Sequence, residues 1–394
     1  MTYKLYCSRC TKLIYQTETH YLDPNVALCE LCMNFVDPHF LNPSHIQIPV
    51  EVRMTKETPP KDKKKIDDAL TKFKNLMKEP SMEENIKIPE PSEINEYLGK
   101  YVIGQEEARK ILSVVASNHR AICDYNDTGP DFPLQRSNIL IMGPSGTGKT
   151  LMVETLARFL DVPYVSVSAT EFSETGYVGK DVTEILAMLL TAANNDEKAA
   201  ANGIIFIDEI DKILSTKGET RDVSGTGVQH ALLRIIEGSP VTVPIGRHGG
   251  HTVVVDTKNI LFVFGGAFTP LREAKDKIKN SFGFHSTPAQ ENKFITTEDL
   301  MKAGMIREFV GRVHHICTTE AFTDKDLMRV LLEPVDSIIK QHEILLGFKG
   351  IGNIDLRKKK FLNELIKDAK VWGTGARGLK VALEKRLVNK YYGD

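Results

Sequence analysis

The sequence has little of what marks secreted, membrane-spanning or nucleic-acid-coating proteins. Its six cysteines are too few and too clustered for a disulfide framework. No apolar run approaches the roughly 20 residues that cross a bilayer, and the first residues lack the apolar stretch of a secretory signal. The 51 basic and 52 acidic residues give a net charge of −1, whereas a general nucleic-acid binder carries a basic surplus. We therefore expect a cytoplasmic protein without membrane or general nucleic-acid contacts.

The chain is long enough for more than one domain. It has 394 residues, of which 41% are hydrophobic and 26% charged, the balance of a globular protein with a sizeable core. Domains usually hold between 50 and 200 residues. Two or three domains are the expectation.

Four cysteines near the start have the spacing of a zinc site. Cys7 and Cys10 form one C-x2-C pair and Cys29 and Cys32 form a second, with eighteen residues between the pairs. Two such pairs supply the four thiolates of a tetrahedral zinc shell. The other readings are four reduced structural thiols or a redox pair. We interpret 1–42 as a small domain in which zinc replaces a hydrophobic core.

Residues 43–90 have the composition of a linker. Proline and charged residues dominate, and apolar residues recur at helical spacing only within 66–77. The lysines beside this short helix alternate with Asp67 and Asp68, which favours a solvated helix face over a nucleic-acid site.

From residue 98 to about 318, apolar runs alternate with helical patterns. Strands are predicted at 138–142, 164–167, 204–207 and 260–264, and helices at 149–160, 181–194 and 227–237. This alternation is typical of a parallel sheet with helices on both faces. After about residue 322 the apolar spacing is helical, with a break at 371–375 and a last helix at 376–391, so a mostly helical lid is expected.

A phosphate-binding loop follows the first of these strands. Its residues match the pattern G-x-x-x-x-G-K-[ST] and open a helix, as the mechanism requires. Backbone N–H groups of the loop surround phosphates, Lys149 reaches the β- and γ-phosphates, and Thr150 holds Mg²⁺. The loop residues after Gly143 are Pro144, Ser145, Gly146, Thr147, Gly148, Lys149 and Thr150.

An acidic pair at the end of another apolar strand completes a nucleotide site. Asp208 and Glu209 follow Ile204–Ile207 directly. Asp208 is placed to bind Mg²⁺ directly or through water, and Glu209 to polarise the water that attacks the γ-phosphate. A surface acidic pair is the alternative, which the phosphate loop disfavours. ATP hydrolysis is therefore predicted.

Taken together, these residues resemble the AAA+ ATPases and, among them, the ClpX family of protein unfoldases. The resemblance covers nearly the whole chain, including the four-cysteine segment. Beyond the ATPase motifs, the stretches that carry it are YVIGQEEARKIL (101–112), TGYVGKDV (175–182), TRDVSGTGVQHALLRIIEG (220–238), NILFVFGGAF (259–268), IREFVGR (306–312) and TGARGLK (374–380).

The resemblance implies roles for residues that spacing alone does not identify. Val102 and Ile103 correspond to the adenine pocket, and Arg312 to the arginine finger that completes a neighbouring subunit's site. Arg377 corresponds to the sensor on the small subdomain, which couples nucleotide state to subdomain rotation.

Two loops are implied to contact other proteins. Tyr177, Val178 and Gly179 resemble the pore loop that grips a threaded polypeptide. Phe282, Gly283 and Phe284 stand where the family has the loop that docks onto a ClpP-type peptidase. A second pore-facing loop at 246–251 lacks the family's basic run.

The predicted fold class is α/β, an AAA+ module with a helical small subdomain and an N-terminal zinc-binding domain. The predicted domains are 1–42 (zinc), 43–90 (linker), 91–318 (large AAA+ subdomain) and 319–394 (small subdomain). We predict an ATP-dependent unfoldase that works as a hexameric homo-oligomer on protein substrates, with ATP, Mg²⁺ and Zn²⁺ as cofactors. Adaptors and a ClpP-type peptidase are the implied partners. An AAA+ remodeller of protein–nucleic-acid complexes that acts without a protease is the alternative, and a scaffold that binds nucleotide without hydrolysing it is a third reading.

Overall fold

The computed structural model describes residues 88–128, 136–172, 180–214, 225–245, 251–280, 295–351 and 355–392, and earlier in the chain only the backbone of four short strands. The chain forms two compact units, Met1–Glu79 and Pro80–Asp394.

The first unit contains two antiparallel strand pairs. Strand β1 (Leu5–Tyr6) pairs with β2 (Leu13–Ile14), and β3 (Thr19–Asp23) pairs with β4 (Val26–Cys29). Of the four cysteines, only Cys29 lies on a described strand, where its backbone pairs with Thr19. The other three lie outside the described residues, as does the helix predicted at 66–77.

The second unit alternates strands and helices as far as β11 and is helical after it. Its strands are β5 (Asn138–Met142), β6 (Tyr164–Ser168), β7 (Ile204–Asp208), β8 (Pro240–Ile245), β9 (His251–Asp256), β10 (Leu261–Gly266) and β11 (Val313–Thr318). Its helices are α1 (Pro91–Gly99), α2 (Glu106–Thr128), α3 (Lys149–Leu160), α4 (Thr183–Ala192), α5 (Glu197–Ala201), α6 (Gly225–Ile236), α7 (Thr269–Asn280), α8 (Thr297–Lys302), α9 (Arg307–Val310), α10 (Asp324–Leu332), α11 (Ile338–Phe348), α12 (Lys359–Trp372) and α13 (Ala376–Tyr392). Short 3₁₀ turns occupy Ala169–Glu171 and Ile210–Ile213.

Five of the strands form one parallel sheet. Its order is β11-β5-β10-β7-β6, with every neighbouring pair parallel. The carboxyl ends of β5, β7 and β10 therefore meet at one edge, while their amino ends meet at the opposite edge. Strands β8 and β9 form a separate antiparallel hairpin.

Alternate residues of the central strands enter two different cores. On β5, Leu140 and Met142 join the cluster that includes α4 and α6, whereas Ile139 and Ile141 join the cluster that includes α1, α2 and α3. All four are fully buried. Because successive strand residues point to opposite faces, both faces of the sheet are covered by helices. The predicted parallel sheet between helices is confirmed.

The C-terminal helices have a third core of their own. Leu331, Ile339, Leu365 and Leu383 are among its buried members. The helical pattern predicted after about residue 322 is divided into α10 and α11 at Pro334, because proline cannot donate the backbone hydrogen bond that a helix interior requires. The break predicted at 371–375 is present between α12 and α13.

Candidate functional site

The phosphate loop connects the buried strand β5 to helix α3, as the sequence predicts. Gly146 and Gly148 have φ angles of 74° and 93°, in the left-handed region that glycine adopts without strain. Gly148 is the residue before α3, so the first N–H groups of the helix point into the loop. The loop thus places unpaired donors and a positive helix end where a phosphate would sit.

Lys149, the first residue of α3, extends back over the loop. Its Nζ donates hydrogen bonds to the carbonyl oxygens of Gly143 (2.7 Å) and Pro144 (2.9 Å), and only 8% of the residue is exposed. Burial lowers the pKa of Lys149, with Asp208 opposing that shift and Arg377 adding to it. The ammonium lies beside the loop in a position to move onto a phosphate oxygen.

The two predicted acids lie at the end of β7. Asp208 accepts a hydrogen bond from the Glu209 backbone N–H at 2.8 Å. Glu209 has a φ of 59°, an unusual angle for a residue with a side chain, and its Oε2 accepts a hydrogen bond from the Ser168 hydroxyl at 2.7 Å. Ser168 ends the neighbouring strand β6, so its hydroxyl faces Glu209 across the sheet edge. Sequence reasoning did not identify Ser168.

Two glycines at the end of β10 make room for acidic side chains. A Cβ on Gly265 would lie 2.8 Å from Asp208 Oδ1, and one on Gly266 would lie 2.9 Å from Asp211 Oδ1. Asp211 also accepts a hydrogen bond from the Ala267 N–H at 3.1 Å. Asp211 is a third acid that the sequence analysis missed, although its place in the stretch DEID offered a signal.

A cavity of about 550 Å³ lies between the phosphate loop, the acidic strand end and the first turn of α13. Eight predicted residues line it, namely Ser145, Gly146, Gly148, Lys149, Thr150, Asp208, Glu209 and Arg377. Its remaining lining residues are Leu151, Glu154, Asp211, Lys212, Ala267, Ile338, Ala376 and Lys380. Phosphate-directed cations and magnesium-directed oxygens therefore share one cavity. Thr150 and Asp208 offer the hydroxyl and carboxylate oxygens that Mg²⁺ prefers.

The phosphate loop touches the C-terminal helices directly. The Ala376 N–H donates to the carbonyl of Gly146 at 3.1 Å, and a Cβ on Gly375 would lie 2.9 Å from the carbonyl oxygen of Ser145. Arg377 follows this contact and reaches the cavity from the first turn of α13. Any rotation of α13 must therefore change its contact with the loop.

A second contact ties the loop to the end of β11. The hydroxyl groups of Thr147 and Thr319 lie 2.7 Å apart, and the Thr319 N–H donates to the carbonyl of Met142 at 2.7 Å. A Cβ on Gly143 would lie only 1.9 Å from Thr319 Oγ1. Sequence reasoning did not identify Thr319, because nothing local relates it to a loop more than 170 residues earlier.

Val102 and Ile103 are both buried, and Val102 lies near the loop. A Cβ on Gly148 would lie 3.5 Å from Val102 Cγ1. Neither residue lines the 550 Å³ cavity, and their role at the adenine stays a prediction. Pro144 and Thr147 line a neighbouring cavity of about 210 Å³.

Arg312 lies at the opposite edge of the sheet from the phosphate loop. It precedes β11, whose first residue Val313 pairs with Asn138, the first residue of β5. The loop begins after the other end of β5, about 13 Å further along at 3.3 Å per residue. Arg312 lines a different cavity, of about 130 Å³, and its guanidinium lies 3.5 Å from Glu237. The structure therefore does not bring Arg312 to the nucleotide cavity of its own chain.

The two loops that are predicted to contact other proteins lie outside the described residues. Tyr177, Val178 and Gly179 fall between Phe172 and Lys180, which pair with each other, and Lys180 forms an ion pair with Glu171 at 2.7 Å. Phe282, Gly283 and Phe284 follow α7, and 246–250 joins β8 to β9. The backbone at the base of the 173–179 loop is therefore closed by pairing.

Within the described residues, no three His, Cys, Asp or Glu side chains are grouped to hold a metal ion; the side chains of the four N-terminal cysteines are not among those described. Among the described helices, none has the length and apolar character needed to cross a membrane.

Comparisons with known proteins agree with this site. The family described as AAA domain (Cdc48 subfamily) matches residues 134–316, which include the phosphate loop and both acids. A relative from Borrelia duttonii named ATP-dependent Clp protease ATP-binding subunit ClpX is 43% identical over 318 residues, covering 76% of this chain and 73% of the relative.

Two further relatives carry similar names. A ClpX from Treponema denticola is 43% identical over 324 residues, covering 77% of each chain. A protein named ClpX 2 from Wolinella succinogenes is 39% identical over 340 residues, covering 82% of this chain and 83% of the relative. Identity at this level over this length, on an intact phosphate loop and acidic strand end, shows that the chain is an ATPase that belongs to the ClpX family of AAA+ proteins.

Proposed function

We propose that this ATPase is a protein unfoldase that works as a closed ring of six copies, as the family resemblance implies, and that each nucleotide site is completed by the neighbouring copy. The observation that carries the proposal is the position of Arg312 at the far edge of the sheet from the phosphate loop. A finger that cannot reach its own site must act on another copy. Identical head-to-tail contacts form a ring when the rotation between copies closes and an open filament when it does not, and we propose the ring.

The cavity residues divide the work of hydrolysis. The loop N–H groups and Lys149 bind the phosphates, and Thr150 with Asp208 would hold Mg²⁺, which neutralises charge between the β- and γ-phosphates. Glu209 accepts the proton of the attacking water, after its carboxylate turns from Ser168 toward the γ-phosphate. Arg312 of the neighbouring copy stabilises the charge that develops on the γ-phosphate.

Arg377 and the contact of α13 with the loop would convert nucleotide state into movement. Arg377 lines the cavity and follows the Ala376–Gly146 hydrogen bond, so γ-phosphate loss removes a partner from the start of α13. We place the large AAA+ subdomain at 91–318 and the small subdomain at 319–394. The hinge then lies at Thr319, beside the phosphate loop.

Substrate contact is proposed for the loops outside the described residues. Tyr177, Val178 and Gly179 would grip a threaded chain, because an aromatic and a branched apolar side chain contact any polypeptide regardless of sequence. The relatives are named as subunits of the Clp protease. By analogy, Phe282, Gly283 and Phe284 would dock on a ClpP-type peptidase, with an aromatic side chain as the anchor.

Residues 1–42 are proposed to form a zinc domain, followed by a linker at 43–90. The support is the chemistry of the donor set, since Cys7, Cys10, Cys29 and Cys32 supply the four thiolates of a structural zinc site. This domain would receive substrates or adaptors. The net charge of −1 favours protein partners over nucleic acid.

The test is unfolding of a stable fluorescent reporter with an appended disordered tail, in the presence of MgATP. We expect the wild-type chain to extinguish the reporter's fluorescence, Glu209→Gln to leave it intact, and Tyr177→Ala to hydrolyse ATP while leaving it intact. Exposed Lys367→Ala on α12 is the control and should behave as wild type. A wild-type chain that hydrolyses ATP but never unfolds the reporter would overturn the proposal.

A further inference from the structure

Asn138 lies at the amino end of β5, where it touches the residue that the proposed function assigns to the neighbouring site. Its Nδ2 donates a hydrogen bond of 2.9 Å to the backbone carbonyl of Arg312. Only 2% of Asn138 is exposed, and its backbone N–H donates to His314 Nδ1 at 3.3 Å. Its side chain is therefore held in one place by the sheet around it.

The backbone of Arg312 is fixed from two sides. Its N–H donates to the carbonyl of Phe309 at 3.0 Å, while its carbonyl accepts from Asn138. Phe309 is fully buried and packs edge-on against Phe264, with 5.0 Å between ring centroids. Main-chain anchors of this kind set the point from which the Arg312 side chain leaves the surface.

The Arg312 side chain, in contrast, is held weakly. It is 38% exposed and lies 3.5 Å from a Glu237 carboxylate that is 52% exposed. Exposed ion pairs contribute little to stability, so the guanidinium can leave Glu237 for a stronger partner. Charge-assisted bidentate hydrogen bonds to a phosphate are such a partner. Arg312 therefore combines a fixed backbone with a guanidinium that can change partners, which suits a side chain that contacts a neighbouring subunit.

We propose that Asn138 is a positioning residue for Arg312, which aims the guanidinium at the nucleotide of the neighbouring copy. This inference rests on the proposed sharing of sites between copies. Asn138 itself touches no nucleotide, since it lies at the edge of the sheet away from the phosphate loop. Its loss should therefore impair the neighbour's hydrolysis and spare its own subunit's site.

The alternative is that Asn138 only stabilises the sheet. Its strand β5 also carries the phosphate loop, so a merely structural role would damage the site of the same subunit. The two roles differ in which subunit loses ATP hydrolysis, the neighbour or the subunit that carries the substitution. Rings that mix two variants distinguish them.

The experiment measures ATP hydrolysis by mixtures of full-length variants, each inactive or weak alone. Glu209→Gln subunits keep their finger but cannot hydrolyse, and Arg312→Ala subunits keep their own site but lack the finger. Mixing them should restore hydrolysis wherever Arg312 of a Glu209→Gln subunit lies next to the nucleotide site of an Arg312→Ala subunit. Adding Asn138→Ala to the Glu209→Gln subunit should lower that restored rate by about 10- to 100-fold, because a misplacement of 1 Å can cost about 100-fold in rate. Asn363→Ala, an exposed asparagine on α12, is the matched change and should leave the restored rate unaltered.

The reciprocal mixture supplies the decisive comparison. Asn138→Ala subunits with an otherwise normal site should regain hydrolysis when mixed with Glu209→Gln subunits, whose fingers are correctly aimed. The positioning role would be overturned if the restored rate were the same with and without Asn138→Ala in the subunit that supplies Arg312. It would also be overturned if Asn138→Ala subunits did not regain hydrolysis on mixing with Glu209→Gln subunits. If the first mixture of Glu209→Gln and Arg312→Ala shows no hydrolysis while the wild type is active, the sharing of sites itself is wrong.

Discussion

Ser168 Oγ donates a 2.7 Å hydrogen bond to Glu209 Oε2, joining the end of β6 to the proposed catalytic base at the end of β7. The Ser168 hydroxyl also lies 2.7 Å from that of Thr170. A carboxylate that accepts a hydrogen bond is turned toward its donor, and the accepting oxygen is occupied by it. Ser168 is therefore a competitor of the attacking water for Glu209.

Removing this competitor should speed hydrolysis. For Ser168→Ala we expect a rise of a few fold in the rate at saturating ATP with little change in ATP affinity, since the variant alters no residue of the phosphate loop. A hydrogen bond to a charged group contributes about 1.5–3 kcal/mol when buried and less in an exposed site such as this. Steady-state kinetics measure the effect, with Ser239→Ala, between α6 and β8, as the control. A slower variant would mean that Ser168 orients Glu209 for reaction.

Loss of the base itself should separate binding from hydrolysis. For Glu209→Gln we expect ATP affinity within a few fold of wild type and hydrolysis reduced at least about 100-fold, because a positioned general base contributes factors of 10² to 10⁴. Equilibrium binding of labelled ATP and phosphate release measure the two quantities. Exposed Glu298→Gln, in the first turn of α8, should change neither. Undiminished turnover by Glu209→Gln would exclude Glu209 as the base.

The elements that carry the site could be predicted because each depends on a local pattern. The ends of β5 and α3 follow from an apolar run, a glycine loop and the lysine that opens the helix, and both agree with the sequence prediction. The contacts among those elements could not be predicted. Ser168 and Thr319 lie at the site because strands far apart in sequence pair with each other. The sequence alone does not reveal which residues of those strands lie side by side.

The glycines of β10 illustrate the same limit. From the sequence, Gly265 and Gly266 only interrupt a hydrophobic strand. In the fold, a Cβ on Gly265 would lie 2.6 Å from the Phe206 ring and 2.8 Å from Asp208 Oδ1. A Cβ on Gly266 would lie 2.6 Å from the Phe268 ring and 2.9 Å from Asp211 Oδ1. The need for glycine at these two positions becomes visible only when the side chains packed against them are known.

The contact of α13 with the phosphate loop should control nucleotide affinity. Gly375 and Gly373 have φ angles of 57° and 63°, so alanine at either position costs about 1–2 kcal/mol in backbone strain. Only at Gly375 does the new Cβ meet the loop, at 2.9 Å from the Ser145 carbonyl oxygen, whereas no atom lies within 4 Å at Gly373. We expect Gly375→Ala to weaken ATP binding about tenfold relative to Gly373→Ala, with similar free energies of unfolding. Isothermal titration calorimetry with ATP measures the two affinities. Equal ATP affinities of Gly375→Ala and Gly373→Ala would show that the contact is dispensable for binding.

The ion pair between Arg312 and Glu237 should compete with the neighbouring phosphate. For Glu237→Gln we expect kcat/KM for ATP to rise up to about fivefold at low salt, the equivalent of no more than about 1 kcal/mol for an exposed pair. The gain should shrink at high salt, which screens the wild-type pair. Glu333→Gln removes a comparable exposed pair with Arg329 on α10 and should leave kcat/KM unchanged. A fall in kcat/KM would make Glu237 part of the assembled site.

His119 should make the protein sensitive to acid. Burial, with the positive charges of Arg136 and Arg120, lowers the pKa of His119 to about 3 in the folded chain, against an ordinary value of 6.5. Between those values the unfolded chain binds a proton at this histidine and the folded chain does not. The free energy of unfolding therefore falls as pH falls from about 6.5 toward 3, by up to about 1.4 kcal/mol per pH unit for this one group. Urea denaturation at pH 7.5 and pH 5 should show a smaller acid-induced loss for His119→Gln than for wild type, while exposed His230→Gln on α6 should match wild type. An identical loss in all three proteins would show that His119 takes up its proton without unfolding.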